Sequence, residues 1–398
     1  MYKLYGNGIN DDAPAIQEML DSGISAVILP VPDKCYCIGS TLRIHSNQCF
    51  VLPETTIIKL LPGSNCFMMT NAEQDAHDIS ISGGIWDYNN IEQAPNPVRL
   101  KESYTYSHHD GNPDTIVEYA DLYRGSIMRF YGVTRFSIHD LTFKDPVTYC
   151  LEMAYMKYFT VENIRFDQNL GNPTPENMDG IHVDGGCRFG SIRNVQGTCY
   201  DDIVALNADD GCDGPIEDIV IDGVYGENSL RGVRLLSTKS LVARISISNV
   251  FGTFYQNCIG LTYFYPRTGR RGKMSHITIN NVFGENAERK PIYQKRGDYQ
   301  FAYIWIDGDL DIDYLSIQNV YRKEKLGSIE TIKVCKNCYI KALSLTNLVH
   351  QNETGRACPA ITNEGVIDKM VLRNVDSCSD ELLNNVGEIK SILLPSNQ

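Results

Sequence analysis

A short pattern of alternating apolar residues, followed by Asn or Asp and one more apolar residue, recurs along this chain and limits what it can fold into. Phe136-Ser-Ile-His-Asp-Leu141 and Ile245-Ser-Ile-Ser-Asn-Val250 are two copies. The Asn or Asp stands at positions 140, 163, 194, 222, 249, 281, 319, 347 and 374, which are 23 to 38 residues apart. The alternation predicts short strands with one buried face, which become stable only when successive coils stack on a shared core.

The repeat favours an all-β fold, a single-stranded right-handed parallel β-helix. A β-propeller would need four strands in about 40–45 residues, and a leucine-rich repeat would place Leu at fixed spacings that this chain lacks. Asn before the last apolar residue suits a sharp turn, because its side chain can bond nearby backbone. Stacked coils should therefore align these side chains into a ladder at one corner.

The chain is predicted to form one β-helix domain over residues 1–398, with residues 1–30 as an N-terminal cap. Residues 11–20 read as a short helix that Asp11 or Asp12 can cap. Three apolar side chains share one face of this helix: Ile16, Met19 and Leu20. That face should cover the open end of the stack, as solenoids require.

Residues 91–124 break the period and are rich in Tyr, His, Asn, Pro and Asp. A loop this long is usually functional or disordered, and its aromatic content favours a functional one. We predict that it flanks the active-site groove. By closing one end of that groove, it would restrict cleavage to the ends of a glycan.

Composition and charge limit which partners the protein is expected to bind and in which compartment it is expected. The net charge of −13 argues against nucleic acid, since phosphate binding needs a basic stripe, and mildly against an anionic membrane. No apolar run is long enough to span a bilayer, and the N-terminus lacks the apolar segment of a signal peptide. These features predict a cytoplasmic protein, or a secreted one if a leader has been removed. The thirteen cysteines are then expected to be reduced thiols.

Acidic residues concentrate between positions 179 and 213. Asp179 opens one predicted strand, and Asp201 and Asp202 open the next strand, one coil later. Neighbouring strands lie about 5 Å apart, so the three carboxylates should meet on one surface. Like charges this close raise at least one pKa, which provides an acid and a base near neutral pH. Glycoside hydrolysis uses such a pair of carboxyl groups.

Alternation also assigns the side chains that face outward beside these carboxylates. Apolar residues at every second position should point into the core: Ile181, Val183, Val204, Leu206, Val233 and Leu235. The residues between them should line one strip. His182, Asp184, Asn207 and Arg234 are therefore candidates for substrate contact, against the alternative that they are solvated surface.

A second acidic group, Asn207-Ala-Asp-Asp-Gly-Cys-Asp-Gly214, follows in the next loop. Calcium takes several oxygen ligands of this kind, but the full calcium-loop pattern is missing. A solvated turn is the favoured interpretation, calcium is the alternative, and no cofactor is expected.

At these residues the chain resembles glycoside hydrolase family 28, the polygalacturonase family of the pectin-lyase-like superfamily. Tyr5-Gly-Asn-Gly-Ile-Asn-Asp-Asp-Ala-Pro-Ala-Ile-Gln17 is similar to the start of many such β-helices. Asn177-Met-Asp179-Gly180 and Tyr200-Asp201-Asp202-Ile-Val-Ala-Leu-Asn207 are similar to two Asp motifs of the family. The resemblance covers nearly the whole chain, and it implies a carbohydrate substrate and inverting hydrolysis. Asp201 would be the general acid, and Asp179 and Asp202 would hold and activate the water.

Two later motifs depart from the family pattern. The family's Gly-His-Gly falls on Leu230-Arg231-Gly232, and its Arg-Ile-Lys, which grips a uronate carboxylate, falls on Thr262-Tyr263-Phe264. Since a carboxylate in a closed site favours Arg or Lys, polygalacturonate is in doubt. Arg231, Thr262 and Phe264 are then candidates for contact with a neutral or differently charged glycan of plant or microbial origin.

Two other function classes fit the same scaffold. One is another carbohydrate enzyme, such as a polysaccharide lyase, an epimerase or a fructan-forming transferase, for which Arg231 and the 207–214 loop would become central. The other is a non-catalytic glycan-binding protein, of the kind found in phage tail spikes, which often form trimers. The oligomeric state is open between a monomer and a homo-oligomer.

Overall fold

The computed structural model describes residues 3–95, 125–173, 175–210, 212–263, 270–288, 301–377 and 381–394. Across these ranges the chain forms a right-handed parallel β-helix, which confirms the fold predicted from the repeat. Consecutive coils pair in parallel, as where Phe136 lies beside Phe159 and Phe159 beside Gly190. The alternating apolar residues of successive coils form one continuous core.

The described elements are one α-helix, one 3₁₀ helix and 26 strands. In chain order they are α1 Ala13–Asp21, β1 Ala26–Ile28, β2 Tyr36–Ile38, β3 Leu42–Ile44, β4 Gln48–Val51, β5 Ile57–Leu60, β6 Met69–Asn71, β7 His77–Ser82, β8 Ile85–Asp87, the 3₁₀ helix Asn90–Glu92, β9 Met128–Tyr131, β10 Thr134–Lys144, β11 Leu151–Ala154, β12 Lys157–Asp167, β13 Ile181–Asp184, β14 Arg188–Gly197, β15 Asp202–Asn207, β16 Ile216–Leu236, β17 Leu241–Thr262, β18 Gly272–Asn286, β19 Ile304–Ile306, β20 Leu310–Glu324, β21 Ile332–Val334, β22 Tyr339–Asn352, β23 Ile361–Asn363, β24 Val366–Ser377, β25 Leu383–Asn385 and β26 Glu388–Leu393.

Three parallel sheets run along the helix. Sheet 1 holds the alternating segment of each coil, and sheet 2 holds the segment that follows the Asn or Asp. Sheet 3 holds the strand that comes next, before the chain returns to sheet 1. Its strands are β3, β6, β9, β11, β13, β15, the last residues of β16 and β17, β19, β21, β23 and β25. All candidate catalytic residues lie on or beside sheet 3.

The corner between sheets 1 and 2 is built by the repeated Asn or Asp, which takes a left-handed backbone conformation in eight of the nine repeats, while Gly223 takes it in the coil of Asp222. Asn163 has φ 56°, a region that Asn tolerates better than most side chains. Its Nδ2 donates to Asp140 Oδ1 at 2.7 Å, and Asn194 Nδ2 donates to Asn163 Oδ1 at 2.7 Å. Later rungs of the same kind are donated by Asn249, Asn281, Asn347 and Asn374. The predicted ladder is confirmed.

Helix α1 packs on the first coils through the predicted apolar face. Ile16 and Leu20 are buried in the core, and Met19 packs against it partly exposed. Asp12 occupies the N-cap position but makes no capping bond with its side chain. Its carboxylate instead accepts from the backbone N–H groups of Gly6 and Cys37, and Asp11 Oδ1 accepts from Ala13 N at 2.9 Å. Both aspartates therefore hold the N-terminal cap in place through hydrogen bonds from backbone N–H groups.

Most of the predicted groove-flanking loop, residues 96–124, lies outside the described residues. Twelve cysteines lie in the described ranges, and none of these twelve is joined in a disulfide there. None of the helices in those ranges is long and apolar enough to cross a membrane.

Candidate active site

The three aspartates predicted to meet do so at the start of two neighbouring sheet 3 strands. Asp179 lies two residues before β13, and Asp202 begins β15. One carboxylate oxygen from each of Asp179, Asp201 and Asp202 lies within 4.8 Å of the other two. Asp179 Oδ1 also accepts a hydrogen bond from Asp202 N at 3.1 Å. Asp179 and Asp202 are buried, whereas the side chain of Asp201 keeps 15 % of its exposure.

Two arginines from the next coil bind these carboxylates. Arg231 lies beside Asp202 in the sheet register. Its Nη1 donates to Asp201 Oδ1 at 2.8 Å and to Asp202 Oδ1 at 3.1 Å. Arg234 Nη1 donates to Asp202 Oδ2 at 3.4 Å, and its Nε donates to Thr262 Oγ1 at 3.3 Å. Both guanidinium groups are nearly buried, so they act as strong, weakly screened partners of the aspartates.

His182 connects two further carboxylates at the same site. Its Nδ1 lies 2.7 Å from Asp179 Oδ2, and its Nε2 lies 3.3 Å from Asp184 Oδ1. The ring of Tyr149 stacks on the imidazole with 4.0 Å between centroids. Burial disfavours the charged imidazole, but Asp184 and Asp179 outweigh that effect and raise the pKa of His182 well above its usual value. His182 is therefore held as a cation between two carboxylates.

The pKa of Asp201 is raised well above its usual range. Removal from water is the main cause, and the neighbouring charge of Asp202 adds to it, while Arg231 opposes it. Burial likewise raises the pKa of Asp179, against the hydrogen bond from His182. Asp184 brings a fourth carboxyl group to the site, and the four face three basic side chains, Arg231, Arg234 and His182.

Sheet 3 carries a column of outward side chains that contains His182, and we call this column the outer row. In coil order it consists of Arg129, Glu152, His182, Ala205, Arg234, Gly260, Trp305, Lys333 and Thr362. At its N-terminal end Arg129 Nε donates to Glu152 Oε1 at 3.2 Å, and both side chains are almost fully buried. Trp305 and Lys333, beyond the aspartates, are half-buried. The N-terminal end of the outer row is therefore buried, and the part beyond the aspartates is partly exposed to solvent.

The inward and outward assignments made from the alternation are confirmed, because all six predicted inward residues belong to the core. The alternative of solvated surface is wrong for His182 and Arg234, which are 3 % and 6 % exposed. Both ring nitrogens of His182 face carboxylates, and these contacts favour a positioning role over direct contact with a sugar. Thr262 lies on the outer face beside Arg234, and Phe264 lies outside the described residues.

The acidic loop after β15 uses its carboxylates within the protein. Asp209 Oδ2 accepts from the backbone N–H groups of Thr238, Lys239 and Ser240 at 2.7 to 3.0 Å. Lys239 also binds the carboxylate of Asp213, and Asp210 accepts from Asn207 Nδ2 at 3.1 Å. The turn is therefore structural, and the prediction of a solvated turn is wrong for Asp209, which is buried and binds the backbone of residues 238–240.

Sequence reasoning missed several residues of the outer row and its surroundings. Arg129 and Glu152 each stand between two apolar residues of a short strand, and a charge in that position is a usable signal. Trp305 stands likewise between Ile304 and Ile306. Tyr149 offers no such signal, because it lies in a turn and only the fold brings it to His182.

Several solved structures share this fold. The exopolygalacturonase of family 28 from Yersinia enterocolitica aligns with a TM-score of 0.57 at 12 % identity, over 99 % of this chain and 76 % of that one. The A-module of a mannuronan C-5 epimerase from Azotobacter vinelandii gives 0.54 at 11 % identity, over 100 % and 98 %. A surface protein and adhesin of Streptococcus pneumoniae gives 0.52 at 17 % identity, over 99 % and 98 %.

Similarity at these identities shows the fold alone, since one fold hosts many functions. A scan against protein-family models finds no match, and a search of curated proteins finds none. The structural neighbours include a family 28 exopolygalacturonase, an epimerase and an adhesin, so proteins of different function share this fold. The function has to be argued from the site itself.

Proposed function

We propose that the protein hydrolyses a glycosidic bond of an oligosaccharide or polysaccharide, with Asp179, Asp201 and Asp202 as the catalytic residues. The observation that carries the proposal is the meeting of three carboxyl groups within 4.8 Å, one of them with a pKa raised well above its usual range. An acid that keeps its proton near neutral pH, beside ionised carboxylates, is the arrangement that glycoside hydrolysis requires.

In the proposed reaction, Asp201 donates its proton to the glycosidic oxygen as the bond from that oxygen to the anomeric carbon breaks. Asp202, helped by Asp179, takes a proton from a water molecule, whose oxygen forms the new bond to the anomeric carbon. His182 holds Asp179 through its Nδ1 and acts as a positioning residue. Arg231 bonds to Asp201 and Asp202 and keeps the acid beside the base.

The stereochemical course is the point on which the geometry and the resemblance differ. The resemblance to family 28 implies inversion, whereas inverting enzymes usually hold their two carboxyl groups about 6.5–9.5 Å apart and retaining enzymes about 5–5.5 Å apart. In this site, one carboxylate oxygen of each aspartate lies within 4.8 Å of one oxygen of the other two. The anomeric form of the first product, followed by ¹H NMR, decides between the two courses. We propose inversion, with the water bound between Asp179 and Asp202.

A neutral sugar fits the charges around the aspartates better than a uronate. Arg231 and Arg234 bind the carboxylates of Asp201 and Asp202, and these contacts compete with any carboxylate on a substrate. A buried cation that already balances a buried anion gains little from a second one. Arg231 is also a poor candidate for the base of a lyase, because a guanidinium stays protonated in proteins.

The test is a product screen with a matched pair of variants. The protein, Asp201→Asn and Asp222→Asn are incubated with pectic, neutral and fructan oligosaccharides in ¹⁸O-labelled water, and the products are measured by mass. Asp222 is the control because it lies on the corner ladder, where it accepts from Asn249 Nδ2 at 2.6 Å, away from sheet 3. Hydrolysis predicts products that gain one labelled oxygen with the protein and the control, and a loss of turnover in Asp201→Asn.

Other products would identify another function. Unsaturated products would identify the protein as a lyase. Products that carry a transferred sugar would identify it as a transferase. Tight binding of a glycan without turnover would support a non-catalytic binding protein. Full activity of Asp201→Asn would remove Asp201 from the role of general acid.

A further inference from the structure

A second concave surface lies on the outer face of sheet 2, whereas the catalytic aspartates lie at sheet 3. Two adjoining cavities of about 450 and 740 Å³ share three residues in their linings, Thr142, Arg165 and Gln196. Both volumes fall in the range of ligand pockets, about 300–1,000 Å³, and the side chains of Arg165 and Gln196 are exposed. The two cavities therefore form one groove that is open to solvent, and we call it the sheet 2 groove.

One column of outward side chains runs through this groove, with polar residues first and aromatic residues after them. In coil order its members are Thr142, Arg165, Gln196, Tyr225, Phe251, Phe283 and Tyr321. Neighbouring strands are about 4.8 Å apart, so the column extends over about 29 Å along the β-helix. A ligand that follows the column has to be elongated.

The last four members of the column form an aromatic strip, Tyr225, Phe251, Phe283 and Tyr321. The ring centroids of Tyr225 and Phe251 are 5.6 Å apart, those of Phe251 and Phe283 are 5.4 Å apart, and the ring planes are 6° to 7° from parallel. Three of the four residues, Tyr225, Phe283 and Tyr321, are 38 % to 42 % exposed. Single exposed apolar residues are normal on a protein surface, but a continuous row of them indicates an interaction site.

The polar end of the groove is lined by planar side chains that can donate and accept hydrogen bonds. Amide, guanidinium and carboxylate groups of six residues contribute: Glu54, Asp140, Asn163, Arg165, Asn194 and Gln196. Each of these groups presents two or more donor or acceptor sites in one plane, so it can bond two neighbouring hydroxyl groups of a sugar. The polar end is therefore suited to a ligand that is rich in hydroxyl groups.

The charge of the groove distinguishes between acidic and neutral ligands. Among the described residues that line it, Arg165 is the one cation, and four residues carry carboxylates: Glu54, Asp140, Asp167 and Glu227. These carboxylates repel a polyanion such as a polyuronate. The core of an interface between proteins is depleted of charged residues, so the same charges weigh against a second protein chain. A neutral molecule with hydroxyl groups and apolar C–H groups fits both ends of the groove.

We propose that the sheet 2 groove is a second, non-catalytic binding site for a neutral linear glycan, which lies along the column across successive coils. The planar groups at the polar end hydrogen-bond to sugar hydroxyl groups, and the C–H groups of the sugar rings pack against the aromatic strip, which offers a large apolar surface. The site is on another face of the β-helix from the aspartates. This inference goes beyond the proposed function and holds whether or not the protein hydrolyses a glycan.

Native electrophoresis in gels that contain a polysaccharide measures this binding. Xylan, β-1,4-galactan and β-1,4-mannan serve as neutral probes, and polygalacturonate serves as the acidic probe. Every protein tested carries Asp201→Asn, so that no probe is cleaved. At least one neutral probe should retard the protein. Calorimetry with a hexasaccharide of that polymer then counts the binding sites on each chain, which separates the sheet 2 groove from any binding at sheet 3.

Two substitutions alter the groove, and two matched substitutions serve as controls. Tyr225→Ala and Arg165→Ala should each weaken binding of the neutral probe about tenfold, the loss that corresponds to ~1.4 kcal/mol. The double variant should have one binding site fewer on each chain. Tyr314→Ala removes a tyrosine that is 45 % exposed and contacts His276, and Arg193→Ala removes an exposed arginine on sheet 1. Both controls should bind as the parent does, and thermal unfolding checks that each variant is folded.

The outcomes separate the groove from the proposed function. Unchanged affinity and an unchanged number of sites in folded Tyr225→Ala and Arg165→Ala would overturn the glycan site, even if the product screen had established hydrolysis. Retardation by polygalacturonate alone, or by no probe, would also overturn it. A changed sedimentation coefficient of Tyr225→Ala with unchanged retardation would make the strip an interface between protein chains instead. Neutral binding that depends on the groove would support the site even without turnover, and in that case only the hydrolase proposal would fail.

Discussion

Two rows of side chains run along the same β-helix, and they differ in what they repeat. The corner row uses Asn or Asp in coil after coil, and six of its Asn side chains donate to the rung before them, as Asn194 does to Asn163. The outer row of sheet 3 changes identity at every coil, from Glu152 to His182 to Ala205 to Arg234. Repetition marks a position that serves the fold, and its absence marks a position that is free to serve a ligand.

The two rows also differ in how strongly their side chains interact. Rungs of the corner ladder are partly exposed, so each contributes modestly. The carboxylates and arginines near the outer row are almost fully removed from water, where charges interact strongly and an unpaired one is costly. We therefore expect substitutions near the outer row to change the chemistry strongly, and substitutions in the corner row to change stability slightly.

The largest effect is expected for Asp202→Asn. The substitution keeps the shape of the side chain but removes the base that takes a proton from water, so turnover should fall by about 10²–10⁴-fold. Initial rates on the substrate found in the product screen measure this loss. Asn249→Ala in the corner row should retain turnover per folded molecule. A comparable loss of turnover in that variant would contradict the assignment of the corner row to the fold and of the outer row to the chemistry.

Arg231→Gln should shift the pH profile. The guanidinium of Arg231 opposes the rise in the pKa of Asp201, so its removal raises that pKa further. Asp201 then keeps its proton to higher pH, and the basic limb of the kcat/KM profile moves to higher pH. A downward shift of that limb would mean that another group is the acid.

His182→Gln tests how the cation between Asp179 and Asp184 contributes to stability. The folded pKa of His182 is raised, so its contribution is fully present below the unfolded value of about 6.5 and is lost as pH rises through the folded pKa. Urea unfolding of the protein and the variant should therefore show a stability difference that is largest near pH 6 and shrinks toward alkaline pH. The same change at His139, which pairs with Asp140 on the surface, should give a small difference. A stability difference between the protein and His182→Gln that grows with rising pH would contradict the assignment of His182 as a cation.

The smallest effect is expected at the corner. Asn249 has φ 57° and donates to Asp222 Oδ1 at 2.6 Å. Asn249→Ala loses the hydrogen bond and keeps the unfavourable backbone conformation, for a loss of about 1–2 kcal/mol. Asn249→Gly loses only the hydrogen bond, since glycine adopts positive φ freely, so it should be the more stable of the two by chemical denaturation. Equal stability would mean that backbone conformation is not what Asn supplies here.

Much of the site could be located from sequence because its parts obey local rules. Asp179 and the pair at 201 and 202 stand at the same place in consecutive coils, and alternation correctly separated Val183 and Leu206 in the core from the outward side chains. Trp305 was not anticipated, because segments of irregular length precede it and its distance from Arg234 along the chain says nothing about their separation in space. Tyr149 was missed for the same reason.

The sequence by itself determined the architecture, because apolar alternation and an Asn that accepts positive φ act within a few residues and recur in each coil. It also determined that the three aspartates meet, since stacking repeats the same position at each strand spacing. Only the tertiary structure decided that Arg231 bridges Asp201 and Asp202 and that His182 lies between two carboxylates. These contacts join coils that are connected by segments of unequal length. Burial of the charged groups shifts their pKa values, and it arises only when the coils stack.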